Sequence, residues 1–227
     1  MNGSIFTKFL IIIFITIAII SSYVIKNQIN SNQAKSLIMQ IKKINIAIDN
    51  FTEKYHALPG DVDRTTEYGL SVIPTDGNND NNIKDPTNNY FLAQGEIVNF
   101  WHHLTNAKML NEKYDGLEDD MAKVGSTFPQ SIIGNAGIIA FSDQGKTYLQ
   151  IGYAYNSKII NTRNDVLTPL EAYLYDKKTD NENPNNGNVL VAGGSVLNFL
   201  RNSQCASGNY YRTDINKPLC QLRIEIK

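Results

Sequence analysis

The chain has 227 residues, 42% of them hydrophobic, and a formal net charge of −1. That size suits one globular domain with an extension, or at most two small domains. A charge so near zero leaves no electrostatic footprint for nucleic acid, and no nucleic-acid partner is expected.

Phe9 and Ile25 bound an uncharged run, FLIIIFITIAIISSYVI, flanked by Lys8 and Lys26. As a helix its seventeen residues span roughly 26 Å, a little less than the ~30 Å hydrocarbon core of a bilayer. Thr16, Ser21 and Ser22 do not exclude a membrane helix, because their hydroxyls can return to backbone carbonyls. The reading is a retained membrane helix. The alternatives are a cleaved secretory signal and a buried soluble helix; the small-residue pattern of a cleavage site is poor here.

Beyond it, Leu37, Ile41, Ile44, Ile48, Phe51 and Tyr55 recur at spacings of four and three, while Lys35, Lys42, Lys43, Asp49, Glu53 and Lys54 lie largely off that stripe. No Pro or Gly interrupts residues 9 to 57. The pattern predicts one helix of about 49 residues, roughly 70 Å long, apolar all round at its start and amphipathic at its end. It should stop at Leu58-Pro59-Gly60-Asp61. Pro59 disfavours helix at Leu58 and has no N–H, and Pro-Gly fills the centre of a type II turn. The chain thus divides into a leader and membrane helix (1–25), an amphipathic continuation (26–58) and a globular part (59–227).

In the loop DGNNDNNIKDPT, Asp76, Asn78 and Asp80 alternate like the first half of an EF-hand-type loop. Asn81 replaces the Gly of that pattern and Thr87 the closing Glu, so a solvated Asn/Asp loop competes with a calcium site. A second oxygen-rich stretch holds Asp176, Asp180 and Glu182. Both are carried as candidate Ca²⁺ loops.

Residues 96 to 110 place Ile97, Val98, Trp101, Leu104, Ala107 and Leu110 at helical spacing. His102 and His103 are adjacent, hence on different helix faces, and read as packing or surface residues. Two apolar runs, 138 to 141 and 147 to 153, flank Ser142-Asp143-Gln144-Gly145-Lys146 and predict a β-hairpin with Gly in its turn. Thr168-Pro169-Leu170-Glu171 is a capping box that opens a helix to about Lys177. Residues 189 to 192 form a candidate strand. Leu222, Ile224 and Ile226 alternate with Arg223, Glu225 and Lys227, predicting a last strand with one buried and one wet face. Cys205 and Cys220 are either a disulfide or two free thiols. The class is α+β.

Taken together, Gly3 before an apolar helix, its amphipathic continuation, Phe51-x-x-x-Tyr55-x-x-Leu58-Pro59-Gly60-Asp61, the E-x-x-x-F-W-H-H-L stretch from Glu96 to Leu104, the segment 167 to 189 and the late cysteines resemble type IV pilin-like proteins and type II secretion pseudopilins. The resemblance covers most of the chain. It implies a pilin-like fold, with the long helix packed on a small antiparallel sheet beside short helices. It also implies a non-enzymatic subunit, processed between Gly3 and Ser4 by a prepilin peptidase and assembling with other pilin-like subunits. Such subunits sit in the bacterial inner membrane by a single span, with the globular domain in the periplasm or at the cell surface. Pseudopilins of this kind can also hold Ca²⁺ in a late loop.

Processing is where this chain departs from the pattern. With cleavage after Gly3, the fifth mature residue is Lys8, where the family has Glu. A Lys there repels a neighbour's amino terminus in an apolar core. That suits a filament tip, or a subunit that is not assembled in the usual way. Lys26, Lys35, Lys42 and Lys43 follow the apolar run, and simple charge counting would keep the domain in the cytoplasm. Long domains cross largely regardless of flanking charge, and a cysteine pair suits an oxidising compartment, so translocation is expected. No G-x-S-x-G, P-loop or H-E-x-x-H motif occurs. The alternatives kept are a membrane-tethered periplasmic binding domain that does not polymerise, and a tethered hydrolase with an unrecognised site.

Overall fold

α1 runs unbroken from Gly3 to Tyr55, 53 residues and about 80 Å. The computed structural model describes residues 3–70, 77–87, 92–118, 121–153, 165–192 and 204–226, with backbone only for residues 3–6, 153 and 192. Leu37, Ile41, Ile44, Ile48 and Phe51 are all buried, as their spacing predicts. The stripe reaches further back than its large apolar members show, because Ala34 and Asn30 are buried on the same face.

The helix ends three residues earlier than the proline would require. His56 takes a left-handed φ of 55° while its N–H still bonds the Thr52 carbonyl at 2.9 Å. The prediction of helix to residue 57 is therefore corrected: the left-handed residue, not Pro59, closes the ladder. The turn then forms as expected. Gly60 has φ 92° and Asp61 N–H donates to the Leu58 carbonyl at 3.1 Å. Gly60 lies against the start of the next helix, where a Cβ would overlap the Glu96 carbonyl oxygen.

That helix, α2 (Glu96–Asn106), stops short of the predicted Leu110. Lys108 turns left-handed at φ 60°, and Met109 and Leu110 both donate back to the Leu104 carbonyl. β1 (Gly137–Asp143) and β2 (Lys146–Tyr153) form the hairpin. Its turn is tighter than the five residues expected. Gln144 and Gly145 both have positive φ, the two-residue geometry that lets pairing continue to Asp143–Lys146. α3 (Pro169–Thr179) begins with the predicted box, Glu171 N–H to Thr168 Oγ1 at 3.3 Å and Thr168 N–H to Glu171 Oε2 at 2.7 Å. β3 (Val189–Ala192), the short β4 (Ala206–Ser207) and β5 (Tyr210–Tyr211), and β6 (Gln221–Glu225) complete the described elements.

The main sheet is antiparallel, in the order β1-β2-β6-β3. One apolar core joins the stripe of α1 and its partners on α2 and α3 to Ile138, Leu149, Ile151, Val189, Leu222 and Ile224. The class is α+β, with a long N-terminal helix on a small antiparallel sheet. The β1 edge is covered by chain rather than left bare: Ile83 exchanges hydrogen bonds with Ser142, and Ile138 N–H bonds the Pro129 carbonyl.

One prediction fails in the sheet. β6 has no wet face at Arg223, which is 5% exposed. β6 is a central strand, and Arg223 lies among the side chains of its neighbours. Its guanidinium stacks over Phe141 at 4.7 Å, Nε donates to Gln150 Oε1 at 3.2 Å and Nη1 to Asp143 Oδ2 at 3.3 Å. Alternation along a strand does not distinguish a solvated charge from one buried against aromatic rings and an acid. Glu225, half-buried, pairs with Lys146 at 2.7 Å, and Lys227 lies outside the described residues.

Candidate functional site

Between Phe9 and Ile25, α1 touches nothing that covers it. Phe9 is 59% exposed, Phe14 70%, Ile20 62% and Ile25 59%, so the apolar surface is open on every side. Two hydroxyls inside this stretch are satisfied locally: Thr16 Oγ1 donates to the Ile13 carbonyl and Ser22 Oγ to that of Ala18, each at 2.8 Å. The helix is long and apolar enough to cross a membrane. Gly3 and Ser4, the expected processing pair, lie in its first turn.

The head is fixed to the second half of the same helix. Phe51 stacks on His103 at 6.2 Å and lies tilted against Tyr55 at 4.5 Å. His103 Nδ1 accepts the Gly60 N–H at 2.9 Å, so its neutral form carries the proton on Nε2. His102 has the opposite tautomer: Nδ1 donates to the Tyr114 carbonyl at 2.8 Å, and Nε2 takes Asn106 Nδ2 at 2.9 Å. Both histidines are buried and engaged in packing, one clamping the turn and the other the segment after α2.

Asp61, the last residue of the turn motif, is fully buried. Its carboxylate accepts the N–H groups of Asp80 (3.1 Å) and Asn81 (2.7 Å), and its carbonyl that of Asn79 (2.9 Å). Glu96 binds the same loop, accepting from Asn78 N–H at 3.2 Å and Lys84 N–H at 3.0 Å. Burial raises the Asp61 carboxyl above its ordinary value, against the lowering by those N–H groups. Burial, with the nearby Asp61 charge, pushes Glu96 up to about 7 although the Lys84 N–H acts the other way. Asn78 and Asp80, expected as metal oxygens, close local turns, accepting from Asp80 N–H (3.0 Å) and Asn82 N–H (2.8 Å). Asp76 lies outside the described residues.

The late loop has the same logic. Asp176, fully buried, accepts from Asn181 and Glu182 N–H through Oδ1 and from the Tyr211 hydroxyl through Oδ2 at 2.6 Å. Asp180 Oδ2 accepts from Asn188 N–H (2.6 Å) and Val189 N–H (3.0 Å). The chain brings Asp176 and Asp180 together, and burial holds Asp176 above the usual carboxylate range. Both acids are turned to N–H and O–H donors that tie α3 to β3 and β5. Among the described residues, no group of three or more His, Cys, Asp or Glu is placed to hold a metal ion.

Cys205 and Cys220 are joined as a disulfide, with their Cα atoms 5.1 Å apart. The bridge ties the β4–β5 hairpin to the start of β6. Cys220 also pairs with Leu167 through the backbone, so the bridge reaches the segment that launches α3.

Gln40 carried no sequence signal, and Glu96 entered only as the first residue of the E-x-x-x-F-W-H-H-L stretch. Each lies at a helical position where a polar residue reads as solvent-facing, and each acts through a partner distant in the chain. In comparisons with protein-family models, curated proteins and solved structures, nothing matches the chain.

Proposed function

We propose that the chain is a non-enzymatic structural subunit of the pilin-like or pseudopilin kind, anchored by α1 and assembling through the apolar part of that helix. The observation that carries this is the division of α1. Its first part is apolar all round and bare, while its second part is built into the head's core. A helix apolar on every side needs lipid or other apolar helices around it. The continuous ladder holds the two parts in one rod, so an array of such rods sets the spacing of the heads. The disulfide supports an oxidising location for the head, the periplasm or the cell surface, with α1 crossing the bacterial inner membrane once. Processing at Gly3–Ser4 by a prepilin peptidase, and neighbouring pilin-like subunits as partners, belong to the same reading.

Cysteines placed one at a time along residues 9 to 25 test it, since both native cysteines are already bonded. Assembly predicts oxidative crosslinks on one helical periodicity in membranes. Monomers at every position favour the second reading, a tethered binding domain that does not polymerise. That reading has its own support in a hollow of about 470 Å³ between α1, α3 and the sheet, lined by Ile41, Asn45, Tyr175, Val189 and Ile224 among others. The size is within the range of small-molecule sites.

A further inference from the structure

The head meets α1 at a second place, nearer the membrane, through the loop around residues 130–133. Gln40 holds this loop with both ends of its carboxamide. Nε2 donates to the Gln130 carbonyl at 2.8 Å, and Oε1 accepts the Ile132 N–H at 3.0 Å. Ile133 then turns inward and is 4% exposed, while Ile132 turns outward and is 60% exposed. The two isoleucines line a hollow of about 250 Å³ with Ile29, Asn32, Gln33 and Ser36 of α1. All four helix residues precede Gln40, so the hollow and the bare Ile132 side chain lie on the membrane side of the clamp.

The rigid helix fixes their height. Ile29 and Gln33 follow Ile25 by four and eight residues, which places them roughly 6 and 12 Å beyond the end of the apolar run. The polar layer on each side of a bilayer core is about 5–7 Å deep. The run from Phe9 to Ile25 is itself about 4 Å short of the core, so the hydrocarbon reaches slightly past Ile25. Ile29, 51% exposed, therefore stands in the headgroup layer, while Ile132, whose N–H is held by Gln40 roughly 22 Å past Ile25, reaches down toward that layer along the hollow it shares with Ile29. The charges agree. Lys26 and Lys35 are exposed on this stretch, and no acidic residue precedes Asp49 in the whole chain. Such a surface suits lipid phosphates.

We propose that this edge of the head, Ile132 together with Ile29, rests in the headgroup layer of the membrane that α1 spans. The head then stands on the lipid rather than above it, and the Gln40 clamp sets the depth. This rests on the anchor reading above, and the test separates the two. The full chain is reconstituted into vesicles of mixed zwitterionic and anionic phospholipid, carrying one nitroxide label at Ile132→Cys, Ile17→Cys or Tyr210→Cys. Tyr210, 79% exposed, serves as the water reference. Collision rates with oxygen, which concentrates in lipid, and with a water-soluble nickel chelate are compared. The expected result is a lipid signature at residue 17 and an oxygen-to-nickel ratio at residue 132 severalfold above that at 210. Adding Gln40→Ala should lower the ratio at 132 toward the water reference. A ratio at 132 equal to that at 210, with residue 17 in lipid, overturns the proposal and leaves the anchor standing. Residue 17 in water overturns both. A label at 132 shielded from both agents means that a second copy covers it, which also overturns the proposal.

Discussion

At the scale of single residues, the buried carboxylates are the most informative groups. Glu96 holds the loop 77–84 to the head at a cost, because its folded-state carboxyl is pushed up to about 7 from an ordinary 4.5. A raised folded value means that the folded chain keeps a proton where the unfolded chain has lost it. The stabilisation is complete below about 4.5 and is lost as pH rises through about 7. Asp61 and Asp176 are shifted in the same direction by burial. The midpoint of urea unfolding should therefore rise as pH falls from about 8 to about 5. Glu96→Gln should flatten much of that slope. A midpoint that falls on acidification would contradict the assigned environments. None of this was readable beforehand. Glu96 reads as an ordinary first-turn acid, and its partners are 12 and 18 positions away along the chain.

Elements carry the stability that joins anchor to head. Phe51 is fully buried between the turn and α2, and truncating such a ring leaves a cavity. Phe51→Ala should cost about 3–5 kcal/mol in chemical unfolding of the head. Substituting an exposed residue of the same helix, such as Lys54, should change stability by less than about 0.5 kcal/mol. The disulfide supports the other end of the core. Replacing Cys205 and Cys220 together by Ser should remove about 3 kcal/mol, the entropy of a closed loop of this length, and reduction should lower the melting temperature to a similar extent. Elements were also what the sequence disclosed best. The stripe of α1, the capping box of α3 and the β1–β2 hairpin rest on patterns within a helix, a turn or a hairpin, and such local rules survive folding, whereas β3 pairs with the distant β6. Their ends were less legible, because His56 and Lys108 adopt left-handed conformations that no glycine announces. Arg223 was misread because a charge at an alternating position looks solvated until the neighbouring strands are known.

For the whole molecule, the division of α1 predicts a clean separation of behaviours. Removing residues 1–26 should convert a chain that needs detergent for extraction into a soluble one. Its head should melt within a few degrees of the parent, since the core begins only at Asn30 and Ala34. A head that unfolds on this truncation would mean that the bare stretch supports the fold. Sheet order was the global feature least accessible to sequence. β6 enters between β2 and β3 through pairings such as Gln150 with Arg223, and no local pattern encodes a partner 73 residues away. The helix was legible because its signal repeats along 53 residues. The sheet is assembled from short strands whose partners are chosen by the finished core.

An uninterrupted α1 also makes the molecule behave as a screw. Each residue added between Lys26 and Ile29 would swing the head by about 100° around the axis and raise it by about 1.5 Å. A single insertion would aim Ile132 away from its present side. Seven would bring it nearly back to its bearing, but about 10 Å higher. Azimuth and elevation of the head are thus one variable, set by the number of residues between the greasy shaft and the Gln40 clamp.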